Sequence, residues 1–248
     1  FDALTAAPTT ERTNRGPVPY PFFLASPLHL DSLRETPAQQ WWVEHKWDGI
    51  RGQLIQRNSG TFLWSRGEEL INAQFPELIE MAASLPDDSV LDGEVICWGA
   101  EDERPRPFSD LQRRLGRKSV GRKLRQDCPA CFVAYDLLES RGEDRRNSPL
   151  DERLAAMNAL LASMDKARSA GQLRISAGEQ LSTWDDLATL RQQAVREGAE
   201  GLMLKQRQSP YLSGRKRGHW WKHKRDPMTL DAVLIYAQAG SGRRANLF

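Results

Sequence analysis

The sequence predicts an α+β fold built mainly from antiparallel sheets. Segments in which apolar and polar residues alternate, as they do in strands, fill residues 41–66 and recur later in the chain. Two segments, 149–162 and 183–197, have apolar residues at helical spacing. Strands and helices do not alternate regularly, as they would in a parallel βαβ sheet.

Composition narrows the class of protein. The chain has 248 residues, of which 40% are hydrophobic and 27% are charged, which is ordinary for a globular protein with a sizeable core. No apolar run approaches the roughly 18 residues of a membrane span, so we expect no membrane contact. The first residues lack the basic and apolar regions of a signal peptide.

The three cysteines argue against a disulfide framework and for a reducing compartment. Cys128 and Cys131 form a lone C-x-x-C motif. A zinc site needs further ligands nearby, and none is evident, so we expect these cysteines to be structural.

The first part of the chain should lead into a strand meander. Residues 1–28 carry five prolines and little periodicity, so we expect an extended lead-in. Residues 31–40 fit a short helix with Asp31 as its N-cap. Strands are predicted at 41–46, 50–57 and 61–66, with a turn at N-S-G between the last two.

The remaining elements follow from the same patterns. Helices are predicted at 75–85, 108–115, 149–162 and 183–197, and strands at 89–98, 132–138, 173–176, 202–205 and 230–236.

Basic residues are concentrated in two places, although the net charge is only +2. Residues 104–125 carry nine basic side chains and one acid, Asp110. A second cluster spans residues 215–225. The clusters indicate a surface for a polyanion, with ordinary solvated helix faces as the alternative.

Five short strands each carry charged residues beside glycine or tryptophan. They are K-W-D-G at Lys46, S-R-G at Arg66, L-D-G-E at Glu94, E-G-L-M-L-K at Glu200 and W-W-K-H-K at Lys222. Taken alone, residues 44–51 also fit a charged strand end before a glycine turn. Charges on strand interiors are costly unless they face a polar site or a bound ion. Five such strands therefore predict one polar cleft suited to phosphate and a divalent metal.

These motifs, in this order from residue 41 to about 226, resemble the ATP-dependent DNA ligases of the covalent nucleotidyltransferase superfamily, which also contains RNA ligases and mRNA capping enzymes. The resemblance implies a nucleotidyltransferase (ATP-grasp-like) fold of antiparallel sheets flanked by helices. It divides the chain into an extended lead-in or linker at 1–28, an adenylation domain at 29–228 and the truncated start of a C-terminal OB-fold at 229–248. Because the rest of the OB-fold is missing, we expect slow catalysis by this chain alone.

The resemblance also implies the catalytic residues. Lys46 would attack the α-phosphate of ATP and become an AMP-lysine phosphoramidate. A lysine must be neutral to attack, and nearby cations favour the neutral amine. Lys222 and Lys224 would lie nearest the α-phosphate, and Lys205 would also bind phosphate. Asp48 would share a face with Lys46 on an extended strand and either orient the amine or serve the structure.

Other residues are expected to bind the nucleotide. Glu44 would accept a hydrogen bond from the exocyclic amine of adenine, and Tyr135 would stack on the base where the family often has Phe. Arg51 and Arg66 would contact the ribose, the AMP phosphate or the 5′-phosphate of a nick. The carboxylates expected to bind Mg²⁺ are Glu94 and Glu200, with Glu94 also near the ribose.

The implied function is a DNA ligase that transfers AMP from Lys46 to a 5′-phosphate and seals nicked double-stranded DNA by attack of the 3′-hydroxyl. The 104–125 cluster would contact the DNA backbone without reading sequence. We expect a monomer in the cytoplasm, at the bacterial nucleoid, with DNA-repair proteins as further partners. The alternatives are an RNA ligase, a GTP-dependent capping-type enzyme or an inactive nick-binding module.

Overall fold

The computed structural model describes residues 16–58 and 60–224, and it has the predicted α+β architecture. The strands are β1 (Phe23–Leu24), β2 (Ser26–Pro27), β3 (Trp41–His45), β4 (Ile50–Arg57), β5 (Gly60–Ser65), β6 (Ser89–Cys97), β7 (Ala130–Ser140), β8 (Glu143–Asp144), β9 (Leu173–Ile175), β10 (Gly178–Gln180), β11 (Gly201–Gln206), β12 (Gly214–Arg215) and β13 (Trp220–Lys224). The α-helices are α1 (Leu30–Leu33), α2 (Pro76–Ala82), α3 (Phe108–Gln112), α4 (Arg122–Asp127), α5 (Leu150–Leu161), α6 (Asp165–Ser169) and α7 (Asp186–Arg196).

Two larger sheets hold most of the strands. One has the order β5-β4-β6-β7-β8, with β9 added beside β7. The other has the order β10-β3-β11-β13-β2, and β1 pairs separately with β12. Pairing is antiparallel except at β7/β9, β13/β2 and β1/β12, which agrees with the prediction of mainly antiparallel sheets.

The two large sheets meet through a shared apolar core. On the β3 sheet, Val43 and Leu204 are buried in the same cluster as Ile96 and Val133 of the β6–β7 pair. The opposite face of the β6–β7 pair packs on α2 and α5 through a second buried cluster. Strands β6 and β7 are thus covered on both faces, which explains their nearly continuous burial.

Among the predicted helices, the two with the clearest apolar spacing are both present. Helix α5 lies within the predicted 149–162 and α7 within 183–197. The helix expected at 31–40 is instead a short α1 and a 3₁₀ turn at Ala38–Gln40. Pro37, just before this turn, disfavours a helical conformation in the residue before it. The expected N-cap was wrong as well, because α1 follows His29 and Asp31 lies in its first turn.

The described part of the lead-in packs into the domain. The backbone N–H of Tyr20 donates to the Gln53 side chain at 2.8 Å, and the Gln53 amide donates back to the Tyr20 carbonyl at 2.9 Å. Tyr20 and Phe23 are both buried. The short strands β1 and β2 then run beside β12 and β13. Residues 16–27 thereby supply part of the wall on which the site is built.

Some predictions concern residues outside the described part. The strand expected at 230–236, the OB-fold segment at 229–248 and residues 1–15 of the lead-in all lie there. Of the described helices, none is long and apolar enough to cross a membrane.

Candidate active site

A cavity of about 480 Å³ opens between the two large sheets. Its walls come from β3, β11 and β13 on one side and from β4, β6 and β7 on the other. All eleven residues that the sequence nominated line it: Glu44, Lys46, Asp48, Arg51, Arg66, Glu94, Tyr135, Glu200, Lys205, Lys222 and Lys224.

Lys46 directly follows β3, and two hydrogen bonds hold its backbone in place. Its N–H donates to the Gly201 carbonyl at 2.9 Å, and the Glu200 N–H donates to the Lys46 carbonyl at 2.8 Å. The strand ends one residue earlier than predicted, so Lys46 and Asp48 lie in a connecting loop rather than on one strand face. This loop needs glycine at Gly49, where a Cβ atom would lie 2.3 Å from the Val95 carbonyl oxygen.

At one end of the cavity, Glu200 forms ion pairs with two lysines. Its Oε1 pairs with Lys46 Nζ, and its Oε2 lies 3.0 Å from Lys224 Nζ. Burial favours the protonated carboxyl, but the hydrogen bonds and charges of the two lysines outweigh it and lower the pKa of Glu200. Partial burial lowers the pKa of Lys222, and the positive charges of Arg215, Lys224 and Lys46 add to the effect. This end of the cavity therefore concentrates positive charge suited to phosphate.

A buried ion pair forms the other end. Glu44 Oε1 pairs with Lys205 Nζ, and both side chains are almost inaccessible to solvent. Burial raises the pKa of Glu44, against the opposing charge of Lys205. Glu44 Oε2 is buried and has no hydrogen-bond partner in the described part of the chain. Lys205 Nζ lies 4.5 Å from the centre of the Tyr135 ring. An acceptor oxygen beside an aromatic ring is a suitable site for the amine of a flat base.

Arg51 and Glu94 face each other in the register of β4 and β6. Burial raises the pKa of Glu94 to about 8, helped by Asp92 and Glu200 and opposed by Lys46 and Arg51. The Arg51 guanidinium binds Asp92 through two hydrogen bonds, at 3.2 and 2.7 Å. Sequence reasoning missed Asp92 as a partner of Arg51, although its place in L-D-G-E, two residues before Glu94, was a usable signal.

Asp48 and Arg66 lie at the exposed rim of the cavity. The Arg66 N–H donates to the Arg51 carbonyl at 2.9 Å, which fixes its backbone. Within residues 16–58 and 60–224, neither side chain forms a hydrogen bond or an ion pair. Both side chains are therefore available to a ligand at the cavity mouth.

Several basic side chains of residues 104–125 are paired with acids of the same domain. Arg114 is fully buried, where it binds both oxygens of Glu77 at 2.6 and 2.7 Å. Arg106 pairs with Asp102 at 2.7 Å, and Arg113 with Asp127 at 3.6 Å. Acids just outside residues 104–125, together with the more distant Glu77, therefore pair with some of the nine basic side chains, and fewer of these are available to a polyanion than the sequence suggested.

The cysteines are buried free thiols, as expected for structural residues. Among the described residues, no group of three or more His, Cys, Asp or Glu side chains is arranged to hold a metal ion.

Comparison with known proteins decides the family. The family model described as "ATP dependent DNA ligase domain" matches residues 23–224. The chain belongs to this family of ATP-dependent DNA ligase domains. The resemblance drawn from the five motifs is therefore confirmed.

Curated relatives of this domain are named as DNA ligases or probable DNA ligases. A probable DNA ligase of Koribacter versatilis is 31% identical over 246 residues, covering 92% of this chain and 42% of that protein. A DNA ligase of Natronomonas pharaonis is 36% identical over 206 residues, covering 83% of this chain and 36% of that protein. The chain thus spans less than half the length of these relatives.

Solved ligase structures share the fold. The mycobacterial DNA ligase D complexed with ATP and MES superposes with a TM-score of 0.60 at 26% identity, covering 82% of this chain and 60% of that one. The Chlorella virus DNA ligase-adenylate, at 16% identity, also has a TM-score of 0.60, covering 83% and 69%. The predicted nucleotidyltransferase architecture is therefore confirmed.

Proposed function

We propose that this domain carries out the adenylation chemistry of an ATP-dependent DNA ligase, with Lys46 as the nucleophile. The observation that carries the proposal is the position of the Lys46 amine. It lies in the cavity, paired with Glu200 and close to the cations Lys222 and Lys224. A phosphate bound between these cations would meet the amine directly.

The two ends of the cavity support one orientation of ATP. The adenine amine would donate to the unpartnered Glu44 Oε2, and the base would lie against Tyr135. The sequence suggested that Lys205 binds phosphate, but it is buried against Glu44 and the Tyr135 ring. We propose that it instead fixes the carboxylate that reads the base. The triphosphate would then extend toward Lys222 and Lys224.

Each step exchanges one bond at phosphorus. First, the Lys46 nitrogen bonds to the α-phosphorus, the bond to pyrophosphate breaks and the amine loses a proton. Next, a 5′-phosphate oxygen of DNA attacks the same phosphorus and releases Lys46. Last, a 3′-hydroxyl attacks the activated 5′-phosphate, and AMP leaves. Arg51 and Arg66 would contact the phosphates during these steps, and Asp48 is free to orient the amine or the attacking strand.

The carboxylates fit Mg²⁺ that arrives with ATP. Mg²⁺ is usually bound by one or two carboxylates together with phosphates and waters, and Glu94 and Glu200 supply two carboxylates in one cavity. When bound, the ion would neutralise charge on the phosphates. Glu200, which pairs with Lys46 and Lys224, would have to share its oxygens with the ion.

Nicked double-stranded DNA is the proposed substrate. Lys118, Arg122 and Lys123 are exposed on the basic segment and make no ion pair with any residue of the described ranges. Contacts from such side chains to phosphates bind DNA of any sequence. We also propose that the protein acts as a monomer in the cytoplasm, with DNA-repair proteins as partners.

Labelled nucleotides test the proposed reaction. Incubation with α-labelled ATP should label the protein, and transfer of the label to nicked DNA should follow. Lys46→Ala should abolish labelling, whereas Lys166→Ala, at an exposed lysine outside the cavity, should not. Labelling by GTP alone, or sealing of nicked RNA alone, would favour the capping-type or RNA ligase alternatives.

A further inference from the structure

Strand β4 carries two arginines that are each held by a buried carboxylate and a tyrosine. In the first triad, Arg51 and Tyr211 both bind Asp92. In the second, Arg57 and Tyr20 both bind Glu139. Arg51 lines the cavity, whereas all three residues of the second triad lie outside its walls. Both triads consist of an arginine, a carboxylate and a tyrosine, but only the first holds an arginine that lines the cavity.

The Tyr211 hydroxyl is fully used. It donates to Asp92 Oδ2 at 2.7 Å and accepts from Arg51 Nη2 at 3.3 Å and from the Phe23 N–H at 3.2 Å. A hydroxyl has one donor and two acceptor positions, so none remains. The ring packs edge-on against Phe23 and Trp220, with centres 6.0 and 5.6 Å apart. Packing thus holds the ring, and the hydroxyl serves only this network.

The network fixes the Arg51 guanidinium from several sides. Nε and Nη2 donate to Asp92, Nη2 also donates to Tyr211, and Nη1 donates to the Phe23 carbonyl at 2.6 Å. These contacts use four of the five N–H groups of arginine. One N–H of Nη1 is left without a partner among the described residues. The guanidinium carbon lies 5.8 Å from the centre of the Tyr135 ring, against which adenine is proposed to lie.

We propose that Tyr211 is a positioning residue, which holds Arg51 so that its remaining N–H meets a phosphate of the bound nucleotide. The inference rests on the proposed function, because it assigns Arg51 a phosphate ligand. Phosphoryl transfer depends strongly on placement, since small displacements of an orienting group cost large factors in rate. Tyr211 therefore affects the reaction through Arg51, without touching the nucleotide itself.

The matched variants are Tyr211→Phe and Tyr20→Phe. Each removes one buried hydroxyl that donates to a carboxylate, and each keeps its ring. The rate of Lys46 adenylation is measured by intact mass at a series of ATP concentrations, together with the melting temperature. Tyr211→Phe should lower the maximal rate about tenfold, the effect of losing one hydrogen bond to a charged group, and change half-saturating ATP less than about twofold. The two variants should lower the melting temperature by similar amounts, but Tyr20→Phe should leave the adenylation rate unchanged.

A double-mutant cycle separates positioning from general destabilisation. If Tyr211 acts through Arg51, Tyr211→Phe should have little further effect on the rate in an Arg51→Lys background. Equal rates for the wild type and Tyr211→Phe, equal losses for the two tyrosine variants, or a full further loss in the Arg51→Lys background would each overturn the inference. A wild-type chain that forms no adduct would instead contradict the proposed function, and the inference would fall with it.

Discussion

The buried pair of Glu44 and Lys205 gives the sharpest stability prediction. The Lys205→Met variant keeps much of the side-chain volume but leaves Glu44 as a buried carboxylate without its ion-pair partner. It also removes a cation 4.5 Å from the rings of Tyr135 and Trp220. Breaking a buried ion pair from one side costs about 3–5 kcal/mol. For a chain of this length that is a fall of roughly 6–20 °C in melting temperature.

Urea denaturation followed by circular dichroism measures this loss. Burial raises the pKa of Glu44, so the folded state binds the proton more tightly than the unfolded chain. Lys205 opposes this rise, so its removal raises the pKa of Glu44 further in the folded variant. The deficit of Lys205→Met should therefore shrink at acidic pH, where the carboxyl is neutral in both states, and grow as the pH rises. Glu44→Gln combined with Lys205→Met should recover more than half of the loss. The exposed Lys118→Met is the control, within about 0.5 kcal/mol of wild type. A loss below about 1 kcal/mol, or no recovery in the double variant, would refute this reasoning.

Three further results are expected. Arg114→Ala should cost about 3–5 kcal/mol in a urea titration, because it leaves Glu77 buried without its partner, and the folded variant should keep its affinity for nicked DNA. Lys118→Ala and Lys123→Ala should each weaken DNA binding in fluorescence anisotropy and leave the melting temperature unchanged. Each should also reduce the steepness of log affinity against log salt by about 1. Burial raises the pKa of Glu94 to about 8, so its carboxyl should hold a proton at neutral pH and release it when Mg·ATP binds, and affinity for Mg·ATP should rise with pH up to about 8 and then level off. Calorimetry in two buffers would detect the released proton, and Glu94→Gln should remove both effects.

The sequence predicted the site better than it predicted the connections that support it. The site residues lie on short strands or within a few residues of a strand end, where local patterns are clear, and glycines such as Gly49 mark close approaches of the backbone. Helix α5 followed from apolar spacing alone. In these cases the information lies within a few neighbouring residues, which a single sequence displays directly.

The supporting contacts join residues that are distant in sequence. Tyr211 and Asp92 are 119 positions apart, and Arg114 and Glu77 are 37 apart. No local pattern pairs them, so Arg114 was grouped with the DNA-contacting charges although it is buried. The same applies to the two-residue strands β1 and β12, which form only because the lead-in packs against the loop before β13.

The most direct test of the account is to find where AMP attaches. After incubation of the chain with ATP and Mg²⁺, tandem mass spectrometry of its peptides should show one AMP on Lys46, and pyrophosphate should reverse the modification. AMP on a different residue, or no adduct under conditions in which the chain binds ATP, would contradict the assignment of Lys46 as the nucleophile.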